Sequence, residues 1–141
     1  MKIKMMEMCE FEVRAVHYNS SPPLTAAIEG IEHAHTFKIM CKRKLGVAPK
    51  SWSANNFRED CDTFIHDYFA DHHYGILNFE GNDCISLAEL LIAKLDLSYC
   101  SVSECGIGGV ELSVSDESPK QREVIYDSGV INRIFGPPGV Q

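Results

Sequence analysis

The chain has 141 residues, of which 45% are hydrophobic and 23% charged; this is the length and composition of one globular domain and argues against disorder for the bulk of the chain. With 13 Lys and Arg against 20 Asp and Glu, the net charge is −7, which argues against nucleic acid as a partner because phosphate binding needs a basic surface. No apolar run reaches the roughly 18 residues of a membrane span, and Met1-Lys2-Ile3-Lys4-Met5-Met6 lacks the apolar segment of a signal peptide, so a cytoplasmic protein with no membrane contact is expected.

Residues 8–17 alternate, with Phe11, Val13, Ala15 and His17 on one side and Glu10, Glu12 and Arg14 on the other, which predicts a half-buried strand. Ser20-Ser21-Pro22-Pro23 opens a loop to about Gly30. A second strand is predicted from Glu32 to Leu45, with His33, His35, Phe37, Ile39 and Cys41 on one side, before a turn at 46–53. Residues 55–70 change to helical spacing through Phe57, Cys61, Phe64, Ile65, Tyr68 and Phe69. His72 to Asp83 reads as a loop. Ser86-Leu87-Ala88-Glu89 fits a capping box with Ser86 as the N-cap of a second helix. Residues 98–105 and 110–114 form a hairpin about Gly106-Ile107-Gly108-Gly109. The order strand, strand, helix, helix, strand, strand predicts an α+β fold with an antiparallel sheet over residues 1–115. Residues 116–141 are expected to be an extension, in which Glu123–Tyr126 could add a short strand and Gly136-Pro137-Pro138-Gly139 is expected to be a mobile end.

The cysteines, at 9, 41, 61, 84, 100 and 105, have no C-x-x-C spacing and read as reduced thiols used mostly for packing. The histidines carry more. His33 and His35 project from the same face of a strand, and His17 ends the strand before it. Three histidines with no fourth protein ligand would describe a catalytic zinc site; the plainer reading of H-x-H is an exposed polar stripe. Asp71-His72 could be an acid/base pair, or a helix end where histidine is favoured by the dipole. Glu104, before a Gly-rich turn, could grip a guanidine-like edge with two hydrogen bonds or be a solvated strand-end charge. Glu29 and Glu32 flank the H-x-H and could serve as acid/base, as partners that orient a histidine, or as loop charges.

Taken in order, these pieces resemble the 6-pyruvoyl tetrahydropterin synthase and 6-carboxytetrahydropterin synthase family. The resemblance runs through His17, His33-Ala34-His35-Thr36-Phe37, Asn56-Phe57, Asp71-His72-His73-Tyr74, Leu77-Asn78, Ala88-Glu89 and Val102-Ser103-Glu104-Cys105. It implies the tunnelling (T-) fold, with a four-stranded antiparallel sheet, two helices on one face and the order ββααββ. It also implies homo-oligomers, with sheets joined side by side in trimeric barrels, barrels stacked as hexamers, and sites between subunits. Residue by residue it implies zinc on His17, His33 and His35, acid/base roles for Asp71 and His72, with His73 as the alternative to His72, and pterin binding by Glu104. The implied activity is that of a zinc-dependent lyase acting on dihydroneopterin triphosphate or a related pterin. The alternative is a non-catalytic pterin- or purine-binding oligomer.

The departures shape the expected chemistry. The family's synthases carry a catalytic cysteine shortly before the H-G-H; here the motif is H-A-H, and Glu29 stands where the thiol is expected. Relatives with a glutamate in this region resemble aldolases that cleave the side chain to 6-hydroxymethyl-dihydropterin, which implies the role of base for Glu29, with Glu32 as the alternative. Gly75-Ile76 is an insertion after the Asp-His-His-Tyr run. A triphosphate would need basic help, for which Lys42, Arg43 or a neighbouring chain are the candidates.

Overall fold

The computed structural model describes residues 1–45 and 52–115. The expected strand at Glu123–Tyr126 and the expected mobile end at 136–139 lie outside the described residues, as does most of the turn at 46–53. The described chain is α+β. Strands β1 (Met6–His17) and β2 (His33–Lys44) pair antiparallel from Met6 opposite Lys44 to His17 opposite His33, and a short 3-10 helix, Leu24–Gly30, sits in their connection. Helix α1 (Ala54–Tyr68), the short strands β3 (Asp71–His73) and β4 (Ile76–Asn78), and helix α2 (Cys84–Leu95) follow. The hairpin β5 (Tyr99–Glu104) and β6 (Gly108–Ser113) completes the order.

The strands form one six-stranded sheet in the order β3-β4-β1-β2-β5-β6. This differs from the expected four-stranded antiparallel sheet. The four longer strands are antiparallel neighbours, but β4 adds to β1 in parallel through Ala15–Leu77 and Val16–Asn78, so the sheet is mixed. Its two extra strands come from the segment read as a loop. Three-residue strands are too short to show alternation. They form because Tyr74 and Gly75 take positive φ in a tight turn, while Asp71 Oδ1 accepts a hydrogen bond from Gly75 N at 3.1 Å.

Alternation decides which face is covered. Cys9, Phe11, Val13 and Ala15 of β1, Phe37, Ile39 and Cys41 of β2, Cys100 and Val102 of β5 and Leu112 of β6 share one core with Phe57, Cys61 and Ile65 of α1 and Leu87 and Leu91 of α2. Both helices therefore cover the same face, and Glu10, Glu12, Arg14 and Lys38 stay exposed on the other. Ser53 caps α1, accepting from Asn55 N. The cap of α2 is Asp83, whose carboxylate accepts from Ser86 N at 2.9 Å, and not Ser86. Starting the helix three residues earlier puts Cys84 at i with Leu87, Ala88 and Leu91 at i+3, i+4 and i+7, all of them buried.

Candidate metal centre

The register that builds the core also builds the site. His17 continues the core-facing row of β1, and it is the direct partner of His33. His35 lies two residues on, on the same face, opposite Ala15; Phe37 follows, opposite Glu104 of β5. At this end of the sheet, the positions that elsewhere carry Phe, Val and Ile carry three imidazoles and a carboxylate. One ring nitrogen of each histidine lies within 4.8 Å of those of the other two. Ring centroids are 4.6 Å apart for His17–His33, 5.3 Å for His17–His35 and 4.7 Å for His33–His35.

Backbone carbonyls orient two of the rings. His17 Nδ1 donates to Asn82 O at 2.9 Å and His33 Nδ1 to Ile31 O at 2.6 Å. Each such bond leaves Nε2 with its lone pair, the tautomer a metal needs. Asn82 is positioned because the loop after β4 is tied to the end of β1: Phe79 N donates to Val16 O, and Tyr18 N to Glu80 O. His17 is only 3% exposed and packs edge-on against Phe37.

The carboxylate of Glu104 faces these nitrogens, 3.3 Å from His17 Nε2 and 3.5 Å from His35 Nε2. His17 Nε2 is buried and makes no hydrogen bond among the described residues. A lone pair on nitrogen and a carboxylate oxygen are both electron donors, so their approach is favourable only around a proton or a cation. Burial holds the proton affinity of His35 below its ordinary value, with the charge of Glu104 opposing and those of His33, His17 and Arg14 assisting. The neutral imidazole it favours is the metal-binding form. The donor set thus fits a divalent ion of the zinc type, with nitrogen ligands and an open side. The described residues contain two groups close enough to share a metal ion: this one, and the buried Cys9, Cys41 and Cys61.

The histidines open onto a cleft of about 720 Å³, also lined by Glu29, Glu32, Asp83, Cys84 and Glu104, with Ile28, Ile31 and Ile107 among its apolar residues. Glu29 stands exposed at the end of the 3-10 helix, its backbone carbonyl accepting from Asn19 N at 2.7 Å. Asp71 and His72 lie outside this lining, on the edge strand β3. They do not bond each other: Asp71 holds the Gly75 turn, while His72 Nε2 lies 2.9 Å from Glu32 Oε1. His72 is thereby linked to the rim through Glu32. The exposed His73 packs edge-on against Tyr74.

The residues that sequence reasoning missed are Asn82, whose carbonyl orients His17, and Cys84, which brings a thiol to the cleft. Burial, followed by the charges of Glu104 and Asp83, pushes that thiol up to about 12, so it stays protonated and is unsuited to act as a base. Lys42 and Arg43 stand at the far end of β2, roughly 25 Å of strand from the histidines. Lys42 lies over the Tyr99 ring, and Arg43 pairs with Glu7 at 2.8 Å. No described helix is long and apolar enough to cross a membrane. The sequence matches no protein-family model and no curated protein.

Proposed function

We propose that the protein is a zinc-dependent pterin lyase of the T-fold type, working as a homo-oligomer. The observation that carries this reading is the convergence of His17, His33 and His35 on one point, with Glu104 beside them and Glu29 lining the same cleft. Three neutral imidazoles would hold the zinc, which when bound supplies a Lewis acid for the hydroxyl oxygens of the pterin side chain. Glu104 would take the 2-amino and ring N–H edge of the pterin on its two oxygens.

Proton handling then falls to Glu29 and His72. The Glu29 carboxylate takes the proton of the 2′-hydroxyl. The C1′–C2′ bond breaks, its electron pair passes into the C6=N5 imine of the ring, and a proton returns to C1′. His72 Nε2, held by Glu32, is the donor once a substrate or a neighbouring copy brings the two within reach. The products are 6-hydroxymethyl-dihydropterin and a two-carbon aldehyde. The described cleft lining contains four carboxylates and no Lys or Arg, which favours an unphosphorylated dihydropterin over the triphosphate; an oligomer would have to bring basic side chains from another copy to accept the latter.

The test is incubation of zinc-loaded protein with dihydroneopterin and, separately, its triphosphate, with mass analysis of products. The expected result is 6-hydroxymethyl-dihydropterin from the unphosphorylated compound, falling about 100-fold or more in Glu29→Gln with zinc content unchanged. No product from either compound would overturn the lyase reading. The engagement of Asp71 with its own turn favours one second reading, a non-catalytic pterin- or purine-binding oligomer. Pterin binding that depends on Glu104, without turnover, would establish it.

A further inference from the structure

Four of the six cysteines converge in the core, at the opposite end of β2 from the histidines. Cys9 faces Cys41 across β1 and β2, and Cys41 faces Cys100 across β2 and β5. Cys61 descends onto them from α1. All four are buried. The sulfurs of Cys9, Cys41 and Cys61 lie within 4.8 Å of one another, with Cys9 and Cys61 3.8 Å apart, while the Cys100 thiol turns to Ser101 O at 3.9 Å. Single buried cysteines serve readily as small apolar residues. Here, three positions drawn from two strands and a helix bring their sulfurs together.

The spacing suits a metal. A metal–sulfur bond of about 2.3 Å puts the corners of a tetrahedron about 3.8 Å apart, the separation of Cys9 and Cys61. Soft thiolates select zinc-like or copper(I) ions over hard cations. Several thiolates around one ion leave net negative charge, and a cation stands close by. The Arg43 guanidinium, paired with Glu7, lies 4.4 Å from the ring of Phe57, one helical turn before Cys61.

We propose that Cys9, Cys41 and Cys61 form a buried thiolate site for a thiophilic zinc-type ion, separate from the histidine centre. Binding replaces S–H bonds with metal–sulfur bonds and releases the thiol protons to solvent, with no change of oxidation state. Because the site is enclosed, the ion enters as the chain folds and fastens α1 to the centre of the sheet.

The test is to unfold the full-length protein under reducing conditions and refold it with Co²⁺. The expected result is two ions per chain and strong sulfur-to-cobalt charge-transfer absorption. Cys61→Ser should lose that absorption and one equivalent of metal; His33→Ala should lose one equivalent and keep the absorption. Refolded wild-type protein with no charge-transfer absorption would overturn the proposal whether or not the serine variant folds, as would absorption that disappears in His33→Ala. These outcomes are independent of pterin turnover, so failure here is distinct from failure of the lyase reading.

Discussion

His17 and His33 face each other across two strands, yet they stand in different surroundings. His17 is buried against Phe37 with its Nδ1 bonded to Asn82 O; His33 is at the start of its strand, half-buried, and bonded to a carbonyl two residues away. Removing either imidazole would remove a ligand of the proposed metal, but only His17 is also packing. His33→Ala is therefore expected to abolish zinc retention while shifting the unfolding free energy of the metal-free protein by less than about 1 kcal/mol. His17→Ala should lose zinc as well, and cost the metal-free fold about 2–4 kcal/mol through the cavity and the unpaired Asn82 carbonyl. Metal analysis beside denaturant unfolding checks both. Equal stability losses in the two variants would contradict this division of roles. The histidine triad was legible because strand geometry alone aligns His33 with His35. The pairing of His72 with Glu32 was not, since 40 residues separate them and the short strand β3 that brings them together has no periodic signal.

At the scale of elements, the β5–β6 hairpin positions Glu104, and Gly109 is the residue that keeps it tight. A Cβ at Gly109 would run into Val102 O and Ser103 Cα, backbone atoms that cannot move aside without parting the strands. Gly109→Ala is expected to destabilise the fold by about 1–3 kcal/mol and to displace Glu104, weakening pterin binding more than zinc binding. Unfolding curves and ligand titration together would detect this, and an unaffected pterin affinity would dissociate the hairpin from the site. The long elements could be read from the sequence because burial imposes a strict period: Cys9 to Ala15 alternate, and Phe57, Cys61 and Ile65 recur by helical turns. The start of α2 was misread because two capping signals lie three residues apart, and only packing chooses between them; Asp83 prevails because the helix it starts also buries Cys84.

For the whole molecule, the arrangement of apolar surface argues for more than one copy. Ile28, Ile31 and Ile107 surround the histidine-lined cleft yet remain 76%, 65% and 69% exposed. An acidic chain gains nothing from leaving three isoleucines in water around its histidine site. Covering one of them fully is worth about 1.5–3 kcal/mol, and a symmetric ring repeats that gain at every interface. The same association would pair the outer edge of β6, an edge strand among the described residues, and close the open side of the cleft. The wild-type protein is accordingly expected to run as a trimer or hexamer in light scattering coupled to size exclusion. Ile107→Glu should shift it toward monomer, because a carboxylate would be buried against an apolar partner and close to the Glu104 of its own hairpin. Zinc retention should survive that substitution, since all three histidines belong to one chain, whereas pterin turnover should fall with the loss of the interface. A monomeric wild-type protein that still turned over substrate would mean that the exposed isoleucines contact the ligand itself and that the site is complete within one copy.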